Sequence, residues 1–208
     1  MGFTLQGERL HLWRGERHVL RGVDLELRQG ELLQVRGANG AGKTSLLRTL
    51  CGLAYPEEGR VLWNGVDVRR DLPAYHAALA YIGHESPLKA ELTGQENLRY
   101  WAGVRRRCSR ADVDSALIRV GAKQWWDRPV RTLSAGQKRR IALAGLALLG
   151  ASLWLLDEPT TNLDTEGQQL VGQLIAEQLA SGGLVVAAIH HDLPLRVLSV
   201  RRLDLESA

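Results

Sequence analysis

The run Gly37-Ala38-Asn39-Gly40-Ala41-Gly42-Lys43-Thr44 satisfies the spacing Gly-x-x-x-x-Gly-Lys-[Ser/Thr]. Glycines at those places let successive backbone N–H groups converge on phosphate oxygens, since no side chain stands between backbone and anion. In that arrangement Lys43 reaches the β- and γ-phosphates of a nucleotide and the Thr44 hydroxyl binds Mg²⁺, with Ser45 closing the set of nucleotide-contacting positions. Further along, Leu153-Trp154-Leu155-Leu156-Asp157-Glu158 is an apolar run ending in two acids. A buried strand ending in Asp157 sets a carboxylate where it can hold Mg²⁺, and Glu158 beside it can polarise an attacking water as general base. An apolar strand with an acidic end says little alone. Downstream of the glycine loop it is the second half expected of an MgATP site.

Such a site needs a strand before the glycines, a helix after them, and a second buried strand beside the first. Leu32 to Val35 runs as a strand straight into Gly37, and Leu46, Leu47 and Leu50 then recur at helical spacing, with Gly52 near the stop. Phe3 to Leu10 reads as a strand, and Val23, Leu25 and Leu27 alternate with Asp24, Glu26 and Arg28 as a half-buried strand does. Arg60 to Trp63, followed by Asn64-Gly65, predicts a strand and tight turn, and Ala78 to Ile82 another short strand. Thr93 to about Val120 is polar, Arg-rich and helical in pattern, a lobe inserted between two β-containing stretches. Ser134 to Leu149 and Asp164 to Leu179 predict helices, Leu184 to Ile189 a second buried strand, and a short helix and strand close the chain. Alternating strands and helices imply a mostly parallel sheet covered on both faces, with ligands at the carboxyl ends of its strands.

Leu133-Ser134-Ala135-Gly136-Gln137 opens a basic helix before Asp157, with Ser134 placed as its N-cap and Gln137 at the third helical position. This pentapeptide resembles the Leu-Ser-x-Gly-Gln signature of ABC ATPases. The resemblance implies that Ser134, Gly136 and Gln137 meet the γ-phosphate of ATP held by a second copy, Ser134 and Gly136 through a hydroxyl and a close backbone N–H. Asn162-Leu163-Asp164 is similar to the family's D-loop. Ile189-His190-His191-Asp192 resembles its switch-histidine segment, with His191 expected to contact the γ-phosphate and His190 as the alternative. The fold implied is an α/β P-loop NTPase (RecA-like) core with an N-terminal antiparallel β-lobe and a helical subdomain inserted at about 90–132, all within one domain over 1–208.

Two positions depart from the family pattern. Where the family carries a Gln at the entry to the helical lobe, Tyr81-Ile82-Gly83-His84 presents His84, either a functional stand-in that shares the amide's single hydrogen bond or an ordinary loop residue. Near the end of the first strand, where the family places an aromatic on adenine, stand Trp13 and Arg14; either stacks on a base, and Trp13 packed on the β-lobe is the competing account. Leu-Thr-Gly-Gln-Glu-Asn-Leu at 92–98, Leu-Ser-Ala-Gly-Gln-Lys-Arg-Arg at 133–140 and Leu-Trp-Leu-Leu-Asp-Glu-Pro at 153–159 resemble the ABC ATPases of bacterial cytochrome c maturation. That subfamily implies haem handling, integral membrane partners CcmB and CcmC, release of haem-loaded CcmE, and a peripheral place on the cytoplasmic side of the inner membrane.

Composition narrows the rest. The 208 residues are 45% hydrophobic and 24% charged, which suits one α/β domain with a full core. The longest uncharged run, Ile141 to Leu156, is too short to span a bilayer, and the N-terminus has no basic region followed by an apolar block, so a cytosolic chain that relies on a membrane partner is expected. A net charge of +4, with runs at Arg105–Arg107, Lys138–Arg140 and Arg201-Arg202, reads first as solvated face; no nucleic-acid partner is expected, since the tandem modules or coiled-coil insertions of nucleic-acid ABC proteins are missing. Cys51 and Cys108 have no metal-ligand spacing, and His11, His18 and His76 read as isolated histidines. Trp101, Trp125 and Trp126 are either anchors for a membrane subunit or core.

Overall fold

The computed structural model describes residues 2–105, 107–190, 193–194 and 199–206. The chain opens with a long hairpin, β1 (Thr4–Arg14) and β2 (Arg17–Arg28), and then enters β3 (Leu32–Arg36) and α1 (Lys43–Leu50). A second excursion adds β4 (Glu58–Trp63), β5 (Val66–Asp67), α2 (Leu72–Ala78) and β6 (Leu79–Ile82). Next come α3 (Gly94–Arg105), α4 (Arg110–Arg119) and α5 (Ala135–Leu149), followed by β7 (Leu153–Asp157), α6 (Thr165–Ala180), β8 (Leu184–Ala188) and β9 (Val200–Asp204).

Two sheets result. Strands β2-β1-β4-β5 form an antiparallel sheet and β6-β7-β8-β3-β9 a parallel one. This is the expected α/β arrangement, with β3, β7 and β8 central and buried, save for the partly exposed Arg36 that ends β3. Their residues divide by period two. Leu153 and Leu155 of β7, with Leu184 and Val186 of β8, face a core shared with α1 and the antiparallel sheet. Trp154 and Leu156, with Val185 and Ala187, face a second core under α5 and α6. A central strand of a covered parallel sheet is apolar on both faces, which is why β7 up to Asp157 and β8 read as unbroken hydrophobic runs, while β3 carries a buried Gln34.

The helical stretch expected from Thr93 to Val120 is two helices. Ser109 forms a capping box with Asp112 and starts α4 afresh after α3 ends at Arg105. Both pack on α5, with Leu98, Ala102, Val113 and Leu117 joining the core beneath it. Fully buried Asn97 fixes the loop leading into α3 by donating to the carbonyls of Lys89, Leu92 and Thr93 and accepting from the Lys89 N–H. Helix α2 has no strong apolar period and was not legible in the sequence. Asp71 caps it, and buried Tyr75 pins it by donating to the Leu50 carbonyl at 2.6 Å. Most positions of the short helix expected before β9 lie outside the described residues.

Trp101, Trp125 and Trp126 are partly buried against the core under α5. The Trp101 ring lies over Gly145, where an added Cβ would meet it at 2.7 Å. Packing, not exposure, accounts for Trp101. Cys51 is buried, which pushes its thiol up to about 12, so it carries no thiolate chemistry near neutral pH. Among the described residues no helix is long and apolar enough to cross a membrane and no group of three or more His, Cys, Asp or Glu side chains could hold a metal.

Candidate functional site

The parallel strands deliver their carboxyl ends to one edge. There β3 runs into the glycine loop and β7 ends at Asp157, while His190 follows β8. Gly42 caps α1 with φ of 102°, a backbone conformation open to glycine, and a Cβ there would meet Val19 Cγ1 at 2.7 Å. An L side chain at such a φ is strained by about 1–2 kcal/mol before the clash is counted. Lys43 is buried, and its ammonium donates to the carbonyls of Gly37 and Ala38 at 2.8 and 3.0 Å. The result is a loop folded around its own cation, with the N-terminus of α1 beneath it.

The cleft above this loop has a volume of about 920 Å³. Its walls include Asn39, Gly40, Gly42, Lys43, Thr44 and Ser45 from the loop and helix, Arg14, Arg17 and Val19 from the hairpin, and His84, Glu158 and His190 from the sheet edge. Chemistry foreseen far apart in the sequence therefore meets in one volume large enough for a nucleotide. Arg17 had given no sequence signal; its guanidinium donates to the Gly40 carbonyl at 2.9 Å and braces the loop from the hairpin.

Of the two stacking residues, only Arg14 lines the cleft. Trp13 instead stacks on His18, with ring centroids 3.8 Å apart and planes 7° from parallel. The β-lobe account of Trp13 is the one that fits. The histidines read as isolated are also corrected: His11 Nδ1 lies 3.1 Å from His18 Nε2. Pairing of Trp13 with His18 across the hairpin, and the period of two that puts His11 on the same face as Trp13, bring three rings together that are unrelated in sequence.

Asp157 is buried, and its Oδ2 has no hydrogen-bond partner, while the nearby Thr44 hydroxyl acts to lower the carboxyl's pKa. Burial pushes the Asp157 carboxyl up, and the neighbouring Glu158 charge adds to this, outweighing the Thr44 hydroxyl and the charges of His84 and Arg139. A buried carboxylate oxygen left bare beside a hydroxyl fits a hard divalent cation.

Glu158 has φ of 49°, unusual for a residue with a side chain, and worth a strain of about 1–2 kcal/mol. Its carboxylate lies between two imidazoles: Oε1 is 2.7 Å from His190 Nε2 and Oε2 is 3.7 Å from His84 Nδ1. Thr161 Oγ1 donates to Oε2 at 3.2 Å. Partial burial pushes the Glu158 carboxyl up, but the hydrogen bonds of His190 and Thr161 and the two imidazoles outweigh it and hold the group below the usual carboxylate range. His191 lies outside the described residues; it is the alternative, His190, that meets Glu158.

Ser134 caps α5, accepting from the Gln137 N–H at 3.2 Å while Gln137 Oε1 accepts from the Ser134 N–H at 3.0 Å. Gly136 lies against the Asn162 carbonyl, which an added Cβ would approach to 2.7 Å. Neither Ser134, Gly136 nor Gln137 is among the cleft-lining residues. The run Lys138–Arg140 is not the solvated face expected of it, because Arg139 is buried and Arg140 donates to Asp164 at 3.1 Å.

Over residues 20–161 the sequence matches the family described as ABC transporter. The cytochrome c biogenesis ATP-binding export protein CcmA of Methylococcus capsulatus is 48% identical over 193 residues, 92% of this chain and 93% of that protein. The protein of that name from Salmonella typhi is 42% identical over 201 residues, 97% of this chain and 96% of its own. Among solved structures, a putative ABC transporter ATP-binding protein from Pyrococcus furiosus matches with a TM-score of 0.82 at 22% identity, covering 97% of each chain, which speaks to the fold. The cbiO1 chain of Clostridium perfringens, part of the ABC transporter complex cbiONQ, matches at 0.76 and 25% identity over 93% of this chain and 81% of its own. With a P-loop under a nucleotide-sized cleft and a match spanning most of its length, this chain belongs to the ABC transporter family as an ATP-binding, ATP-hydrolysing protein.

Proposed function

We propose that this chain is the ATP-hydrolysing subunit of a cytochrome c biogenesis exporter, with ATP turnover driving haem handling and release of haem-loaded CcmE. The observation that carries this reading is the 48% identity to a cytochrome c biogenesis export protein across 92% of the chain. Its partners are integral membrane subunits of the CcmB and CcmC kind and a second copy of itself, and it sits peripherally on the cytoplasmic side of the inner membrane. The 208 residues act as one ATPase domain, with residues of about 90–132 as its helical subdomain.

In each site Gly37 to Ser45 bind the phosphates, and Lys43 exchanges its own loop carbonyls for phosphate oxygens. Arg14 flanks the base. Thr44 and Asp157 hold Mg²⁺, which neutralises charge on the β- and γ-phosphates when bound. Glu158 accepts the proton of the attacking water, held ionised by His190, and His84 takes the other side of the carboxylate. Ser134, Gly136 and Gln137 lie outside their own chain's cleft and serve the γ-phosphate of the second copy, so hydrolysis requires two chains around two nucleotides. Capture from bacterial membranes with the Glu158→Gln chain and MgATP tests the assignment. Co-purification of cytochrome c maturation membrane subunits is the expected result; a different membrane pair would leave the ATPase in place and discard the haem pathway.

A further inference from the structure

Arg139 lies on α5, five positions after the Ser134 cap, and is only 9% exposed. Its guanidinium donates to four backbone carbonyls. Nη2 reaches those of Asp157 and Glu158, both at 2.7 Å, Nε that of Pro159 at 3.2 Å, and Nη1 that of Gly83 at 3.0 Å. Four carbonyl dipoles converging on one point repel one another unless a cation with several donors sits among them. A planar guanidinium carries five N–H donors in a fixed fork and meets that need, whereas an ammonium is a compact point charge with three.

The four carbonyls are not a random set. Three belong to the turn that leaves β7, where Glu158 holds its left-handed backbone. The fourth belongs to the residue preceding His84, whose imidazole is 3.7 Å from the Glu158 carboxylate. Among the described residues Arg139 itself makes no hydrogen bond to either carboxylate or to a histidine, and its four bonds there are to main chain. It therefore sets where the backbone puts Glu158 and His84, and it fastens both to the helix whose N-terminus carries Ser134 and Gly136.

We propose that Arg139 is a positioning residue for ATP hydrolysis, a guanidinium clamp that fixes the Glu158 turn and the His84 loop to the signature helix so that both groups aim into the cleft. The proposal rests on Glu158 being the base. The phosphate cradle, by contrast, comes from the glycine loop and the start of α1, to which none of the four Arg139 bonds runs.

The test compares Arg139→Lys, Arg139→Met and Glu158→Gln in the full chain, measuring kcat at saturating Mg²⁺ and the affinity for ATP without Mg²⁺, so that Asp157 does not enter the binding readout. The expected result is a fall in kcat of at least tenfold in both Arg139 variants with affinity within threefold of the parent, the retained charge of lysine giving no rescue. Adding Arg139→Lys to Glu158→Gln should lower kcat by clearly less than Arg139→Lys lowers it in the parent, because with Glu158 gone only the His84 loop is left to position. Should Arg139→Met fail to fold, Arg139→Lys decides. Turnover within threefold of the parent, a parallel loss of affinity, or a full additive loss in the double variant overturns the proposal. If Glu158→Gln alone leaves turnover intact, it is the base assignment that fails, independently of what the Arg139 variants do.

Discussion

His190 Nε2 stands 2.7 Å from Glu158 Oε1, so the first histidine of the His190-His191 pair shares a hydrogen bond with the acid that follows the β7 strand. The contact joins the ends of β7 and β8, which pair in parallel with Asp157 opposite Ala188. Glu158 lies one residue past Asp157 and His190 two past Ala188, and there the two side chains meet.

A pH profile follows from that contact. A carboxylate held below its ordinary value keeps its charge as pH falls, so the acid limb of kcat set by Glu158 should lie below about pH 4.3. The same sign governs stability: the contribution is present above the unfolded value and disappears as pH drops through the folded one. In His190→Gln the limb should move upward, since a hydrogen bond and a charge that favour the ionised form are lost. A limb that does not move would show that the contact has no part in ionising Glu158.

Glu158→Gln should lower kcat by about 10²–10⁴-fold, the range for a general base, with MgATP affinity preserved because the phosphate-binding residues are unaltered. Single-turnover hydrolysis alongside nucleotide binding separates the two quantities. Turnover close to that of the parent would remove Glu158 from the chemistry.

The bare Oδ2 of Asp157 makes a prediction about metal. Chelation should abolish hydrolysis, and Asp157→Asn should raise the Mg²⁺ concentration for half-maximal rate at least about tenfold, since a carboxylate is a far stronger ligand for a hard cation than an amide. An unchanged Mg²⁺ midpoint would place the ion elsewhere.

Trp13 and Arg14 should separate cleanly. Trp13→Ala loses its stack with His18, a contribution of about 0.5–1.5 kcal/mol beyond its buried area, and should lower the melting temperature while leaving ATP affinity unchanged. Arg14→Ala should weaken ATP binding several-fold with little effect on melting, cation–π contact with a base being worth about 0.5–2 kcal/mol. The reverse pattern would return the adenine to Trp13.

Gly145→Ala should destabilise the chain by about 1–3 kcal/mol, because the new methyl meets the Trp101 ring in a packed interface. Thermal unfolding reports it directly. A variant as stable as the parent would mean that the ring is free to move away from α5.

What the sequence determined by itself was the chemistry that depends on near neighbours. The glycine loop, the cap formed by Ser134 with Gln137 and the acidic end of β7 all rest on contacts within a few residues, so spacing alone carries them. Strands β7 and β8 were legible for a related reason, since burial on both faces leaves no polar residue to interrupt them before Asp157. Tertiary structure decided everything that turns on register or on distant carbonyls. In β1 the pairing shifts register between Gly7 and Leu10 and again before Trp13, and Arg9 takes a φ of 44°. Because side chains alternate faces at every residue, such irregularities reassign which of Trp13 and Arg14 looks into the cleft, and no residue count can anticipate them. The same holds for Arg139, one of three consecutive cations in the sequence. Its burial is settled by the carbonyls of Gly83, Asp157, Glu158 and Pro159, which gather around one guanidinium only when the sheet, the loop after β6 and α5 have been brought together.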